Sequence, residues 1–316
     1  IFGSRGLGDV YKRQVLQAFY AFSLSNNDDM KNGEKEFINS MKKIYDLYIY
    51  LIQIFIPLKK YAIIKIEESK KSFLNSDKNS LNNAFISNQI VNIIESSKDL
   101  DNISNKLKIN WQGVVENDLI KKLFKSLYET SSFHNILNSN SSDFNSQKTD
   151  IIDLFREEIC NFELLHHFFD EKSIYWQDDL DHVSSMIIKT LKSIELDNEL
   201  HVLPLWKDDE KEFALNLFRK ATLNKSLNDQ VLQSYSKNWE SERLAKMDSL
   251  LMNLAITEAK EFSSIPLKVT LNEYIEISKF YSTPKSNGFI NGILDKIFTD
   301  FKKEGKLKKV GRGLIG

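Results

Sequence analysis

Only four prolines and eleven glycines punctuate the 316 residues of this chain. A sequence so poor in breakers cannot supply the many tight turns of a β-sandwich or barrel, so long helices are the expected solution. No convincing period-two strand and no internal repeat is visible. The expected fold class is all-α. Apolar residues at 41% and charged residues at 28% suit a soluble globular protein, with material for one large or two smaller domains.

Residues 1–14, IFGSRGLGDVYKRQ, hold three of the glycines and show no apolar periodicity. They read as a leader, non-native or disordered, outside the fold. From Val15 to residue 30 the pattern becomes that of a first bundle helix, since VLQAFYAFSLS is apolar almost all round. Residues 31–205 read as a long helical stretch. One helical pattern covers Lys31–Phe73, others lie near 86–98, 111–129, 149–169 and 174–195, and Ser/Asn-rich loops are expected at 74–83 and 137–148. Pro204 marks the return to a second unit, 206–303, which opens with two short helices at 208–223 and 226–237. A basic tail, 304–316, closes the chain.

The most apolar run, Tyr45–Leu58, is interrupted by Asp46 and Gln53 and is shorter than the roughly 20 residues that span a bilayer. A buried core helix without membrane contact is expected. Cys160 is the only cysteine, which fits a reducing compartment and makes the cytoplasm the expected location. Net charge is −1, but its distribution is uneven. Ser139–His182 carries eleven acidic residues against three basic, whereas Ile297–Gly316 carries six basic against two acidic. A phosphate-contacting surface is therefore expected towards the C-terminal end.

No catalytic constellation emerges. Glu163 with His167, or His166 with Asp170, has helical ligand spacing, and Cys160 lies a turn earlier, yet no fourth ligand is evident. No metal and no cofactor is called for. The two G-x-G steps, Gly6–Gly8 and Gly311–Gly313, follow no strand, so neither is a nucleotide-binding loop. Trp176, Trp206 and Trp239 read as core or interface anchors.

The richest segment is Trp239–Lys296. A first helix, about Ser241–Phe262, places Leu244, Met247, Leu251 and Leu254 on one face. After Pro266, Thr270-Leu-Asn-Glu273 has capping-box spacing, which predicts a helix start there, with Leu271, Tyr274 and Ile275 inward. Thr283-Pro284 predicts another start, a hydroxyl cap followed by proline. Lys285, Ser286 and Asn287 then occupy a first turn that favours anions. Gly288 and Gly292 would let another backbone approach closely.

In order, the segments LQAFYAFSLS, FALNLFRKATLN, QSYSKNW, NWESERLAKMDSLLMNLAITE, IPLKVTLNEYIEISKF and SNGFINGILDKI resemble the NusB family of transcription antitermination factors. The resemblance covers about 16–25 and 208–303, while 31–205 resembles the long insertion of Bacteroidetes-type members. It implies a non-catalytic NusB-like bundle that pairs with the ribosomal protein NusE, grips boxA-like single-stranded RNA and joins the RNA polymerase antitermination complex. It also implies an RNA surface made of Lys12, Arg13, Gln17, Lys285, Ser286, Asn287 and Phe289, and a partner surface involving Tyr20, Asp248 and Met252. Many relatives carry an acidic residue where this chain has Lys285 and a basic one where it has Gly288. The rival expectation is a helical protein–protein scaffold without RNA affinity; an accessory domain of an RNA-modifying enzyme is a weaker one.

Overall fold

In a computed structural model, residues 8–25, 29–71, 82–138, 143–177, 179–196, 199–206, 209–235 and 245–311 are described, and all regular structure among them is helical. The chain forms two compact units. Unit 1 comprises residues 1–40 and 206–316, and unit 2 comprises residues 41–205.

Unit 1 is built from α1 (Gly8–Leu24), the first turns of α2 (Met30–Ile52), α12 (Glu210–Tyr235), α13 (Lys246–Glu261), α14 (Leu267–Tyr281) and α15 (Pro284–Lys303). Its axis is α13, buried on nearly every side from Leu250 to Ala259. Val15, Leu16 and Phe19 of α1 and Leu217 and Phe218 of α12 are also buried. Because α13 has no solvent-facing stripe, its polar residues must bond inside. Asn253 Nδ2 donates to Asp229 Oδ1 at 2.8 Å, and Asn228 Nδ2 donates to Thr257 Oγ1 at 2.9 Å. The two ends of the sequence thus share one core.

Several sequence expectations change here. The boundary at residue 14 falls inside a helix, since α1 begins at Gly8 and Tyr11, Lys12, Arg13 and Gln14 are buried. Tyr11 stacks on Trp206, ring centroids 5.2 Å apart, so these residues belong to the core. Residues 31–40 belong with unit 1 as well. Phe37 stacks on Phe218, and the Arg219 guanidinium grips Glu34, Nη2 to Oε2 at 2.8 Å. The two short helices expected at 208–223 and 226–237 are one, because nothing between Thr222 and Ser226 breaks α12.

The capping box at Thr270 does not cap. α14 starts three residues earlier behind Pro266, and Thr270 is buried in mid-helix. The tail is tied down as far as it is described. α15 ends in a Schellman arrangement on Gly305 (φ +66), with Gly305 N–H to Lys302 O and Lys306 N–H to Phe301 O. Lys309 Nζ then donates to Phe262 O at 3.0 Å and Val310 N–H to Ser263 O at 3.1 Å. Trp239, Leu244 and Arg312 lie outside the described residues.

Unit 2 contains the rest of α2, then α3 (Phe55–Lys71), α4 (Ala84–Ser87), α5 (Gln89–Ser96), α6 (Lys98–Leu107), α7 (Val114–Tyr128), α8 (Ser131–Asn138), α9 (Phe144–Leu154), a π-helical turn (Phe155–Ile159), α10 (Glu163–Lys172) and α11 (Leu180–Ser193). The single helix expected over Lys31–Phe73 breaks at Gln53–Ile54. Pro57 has no N–H for an i→i−4 bond, so it falls in the first turn of α3, where that loss is tolerated. Side chains divide the short helices: Asn88 caps α5, Ser97 caps α6 and Asp143 caps α9, which shortens the loop expected at 137–148. The stretch Met30–Lys70 contains a window apolar enough to cross a membrane by length and composition, but 61% of that window is buried in the protein. Its core role is visible at Tyr50, whose ring meets Trp111, Phe169 and Trp176, and at Trp176, whose indole N–H donates to Lys43 O at 2.7 Å.

Gly33 has a steric reason: a Cβ there would sit 2.7 Å from the Phe22 ring and 3.1 Å from Phe218. Gly288 and Gly292 have none, since nothing lies within 4 Å of an added Cβ, and the close backbone approach expected there is absent. Gly292→Ala should therefore stabilise the protein by about 0.5–1 kcal/mol through helix propensity. Gly33→Ala should destabilise it by about 1 kcal/mol net, overpacking of about 1–3 kcal/mol outweighing the same gain. Urea denaturation of the two variants checks the opposite signs.

Candidate nucleic-acid interface

The turn between α14 and α15 is braced from three helices. From α13, Asp248 accepts a hydrogen bond from Ser282 Oγ at 2.6 Å. From α1, Gln17 Nε2 donates to Tyr281 OH at 2.9 Å, and the Arg13 guanidinium lies 4.6 Å from the Phe280 ring centre and 5.5 Å from that of Tyr281. From α15, Asn287 turns back: with its amide placed to donate, Nδ2 reaches Ser278 Oγ at 3.0 Å and Thr283 O at 3.2 Å. The predicted cap is present, with Ser286 N–H donating to Thr283 Oγ1 at 3.2 Å ahead of Pro284.

That cap alters the expected anion site. Pro284 has no N–H, that of Ser286 goes to Thr283 Oγ1 and that of Asn287 to Thr283 O. Among the described contacts, only the Lys285 N–H of this first turn remains for a ligand. Any phosphate here would rely on the Lys285 ammonium, which is exposed, more than on the helix end.

Beneath this edge lies a buried charge cluster. Glu258 on α13 is fully buried and accepts from Thr270 Oγ1 at 2.8 Å and Tyr274 OH at 3.2 Å. Lys12 of α1 reaches it at 2.6 Å and also pairs with Glu273. Burial alone would lower the Lys12 pKa, but the two carboxylates reverse that and hold it above its ordinary 10.5. Burial and the same carboxylates push the Tyr274 hydroxyl well above its usual value, so it stays a donor.

The predicted site residues divide accordingly. Lys12 is 3% exposed and engaged by two carboxylates, so it is no phosphate contact. Arg13 is 8% exposed and clamps rings instead of facing solvent. Gln17, Ser286, Asn287 and Phe289 are half-buried, with Asn287 turned inward. Lys285 alone of the seven is exposed. Of the partner residues, Tyr20 is half-exposed, whereas Asp248 and Met252 (1% exposed) are interior and cannot face a partner. The helical spacing of α13 could not reveal this, because a helix buried all round gives no sign of which positions meet solvent. Sequence reading also missed Phe280 and Tyr281, whose only signal is an adjacent aromatic pair at a helix end.

The weighed metal residues lead elsewhere. His166 Nε2 contacts the Cys160 carbonyl at 2.6 Å, and burial pushes the Cys160 thiol up to about 11, which keeps it protonated.

A six-helix unit that closes the two ends of its chain around one buried helix, and braces a polar edge rather than a cleft, defines a helical binding module. The chain belongs to the NusB family, whose model matches residues 176–299. It is 35% identical over 145 residues to the transcription antitermination protein NusB of Salinibacter ruber, covering 46% of this chain and 86% of that protein. It is 41% identical over 105 residues to the protein of the same name from Chloroherpeton thalassium (33% and 50% covered). With that of Dictyoglomus turgidum it shares 39% identity over 97 residues (31% and 67% covered). No solved structure matches the chain. The family match starts at Trp176, thirty residues before the expected return to unit 1. The family is one of non-enzymatic transcription factors.

Lys12→Met strands the Glu258 carboxylate in the core and should cost about 3–5 kcal/mol. Lys12→Met with Glu258→Gln should recover much of it, as paired removal does. Because the Lys12 pKa is raised on folding, the pair's contribution is fully present below about pH 10.5 and fades as pH rises through the higher folded value. Thermal melts of the single and double variants, at neutral and strongly alkaline pH, check both the size and the sign.

Proposed function

We propose that this chain is a cytoplasmic transcription antitermination factor that binds boxA-like single-stranded RNA jointly with the ribosomal protein NusE, within the RNA polymerase antitermination complex. The observation that carries this reading is the braced edge of unit 1. The first helix is tied through Gln17 to Tyr281 at the end of α14, and the start of the last helix follows three residues later, with Lys285 exposed one turn before half-exposed Phe289. Unpaired RNA is recognised by positive charge, base-edge hydrogen bonds and aromatic stacking, and this edge offers one group of each kind in Lys285, Gln17 and Phe289. The family membership and the names of the relatives point the same way. Tyr20 is the partner-facing candidate that remains on the surface.

The test is RNA binding by fluorescence anisotropy, with and without NusE, across a salt series. Lys285→Glu should weaken binding several-fold at fixed salt and flatten the log–log salt slope by about 0.7, the value of one single-strand phosphate contact. NusE should raise RNA affinity. Binding of NusE with no RNA affinity at any salt would instead leave a protein–protein scaffold.

A further inference from the structure

We propose that Phe280 is a stacking platform for one unpaired base of the bound RNA, with Arg13 as the positioning residue that holds its ring. The proposal rests on the RNA-binding reading above and adds to it a contact and a residue that the sequence resemblance did not supply. Among the described residues, Phe280 is the sole aromatic side chain left largely exposed, at 66%. An isolated benzyl group in water is not held by burial, so something else must fix it. The Arg13 guanidinium does so, 4.6 Å from the ring centre on one face. Arg13 is itself anchored: it is 8% exposed, and its Nε and Nη2 both approach Tyr281 OH at 3.5 Å. So large an exposure leaves the ring's opposite face open.

The surroundings select the ligand. A protein hot spot needs an aromatic anchor inside a packed apolar surround that excludes water. Phe280 has no such surround along the chain: Lys279 is exposed and paired with Glu276, Ser282 and Thr283 are hydroxyl residues, and Lys285 is an open cation. A flat ring amid polar groups, backed by one cation and followed by another, suits a nucleobase with its phosphate. Phe280 and Lys285 are five positions apart, so their Cα atoms lie within about 18 Å. One short RNA strand can place a base on the first and a phosphate at the second. A second base could then reach half-exposed Phe289, one turn further along α15.

The test uses the full chain and a boxA-like RNA oligonucleotide carrying 2-aminopurine at each position in turn. Wild type should quench one 2-aminopurine through Phe280. Phe280→Ala should abolish that quench and lower affinity about tenfold or more, while Phe280→Trp retains both. Arg13→Met should weaken the quench in wild type and add nothing to Phe280→Ala, since it acts through the ring. Circular dichroism melts establish that the variants are folded. If wild type binds RNA and Phe280→Ala binds equally well, the platform is wrong and the RNA reading stands. If Phe280→Ala weakens NusE binding and leaves RNA binding unchanged, the ring serves a protein and the proposal fails. If wild type binds no RNA, both readings fall together.

Discussion

A carboxylate with no exposure to solvent holds unit 1 in register. Glu258 sits in the last turn of the most buried helix, and it is tolerated because two other helices converge on it. The ammonium of Lys12 comes from α1, and the hydroxyls of Thr270 and Tyr274 come from α14. An ion pair of this kind adds little net stability compared with a well-packed apolar cluster, but it penalises any arrangement that leaves the charge alone. The N-terminal helix therefore cannot slide along α13 or α14 without exposing the core to an unpaired charge. The positions of Arg13 and Gln17, one and five residues beyond Lys12, follow from that pin, and with them the bracing of the α14–α15 turn.

The same logic explains what the sequence revealed and what it hid. The scarcity of breakers and the ordered family-like segments led directly to an all-α protein and to the NusB family, because both depend on local pattern. The Thr283-Pro284 helix start was legible for the same reason, since a cap is a contact between near neighbours. The Thr270-x-x-Glu273 spacing looked identical in kind, yet tertiary structure overrode it. A buried carboxylate twelve residues away claimed the Thr270 hydroxyl, and Lys12 claimed Glu273. Propensity and spacing describe options, and long-range partners choose among them.

Among the site residues, the errors have one origin. Lys12, Asp248 and Met252 were placed on a surface because charge or family position suggested it, whereas burial is a property of the whole fold. Only three-dimensional packing shows that α13 has no outer face. The exposure of Phe280 was equally invisible, since an aromatic residue in an amphipathic helix is ordinarily core. Unit 2 offered less to read. Its cap residues Asn88 and Ser97 divide what looked like one longer helical pattern, and Asp143 starts a helix inside an expected loop, each by a single side chain accepting from the backbone of the next helix.

The two glycines of α15 leave that helix asymmetric. On its underside Ile290, Ile293, Leu294, Ile297 and Phe298 are embedded in the core, while Gly288 and Gly292, one turn apart, present no side chain. Water reaches the peptide groups there, and the intrinsic preference for helix is weaker by about 1 kcal/mol at each. That flank is held by the apolar anchors beneath and by the Thr283 cap at its entrance. A visiting chain crossing that bare flank would meet main-chain atoms first and could settle nearer the helix axis than any side-chain-clad turn allows.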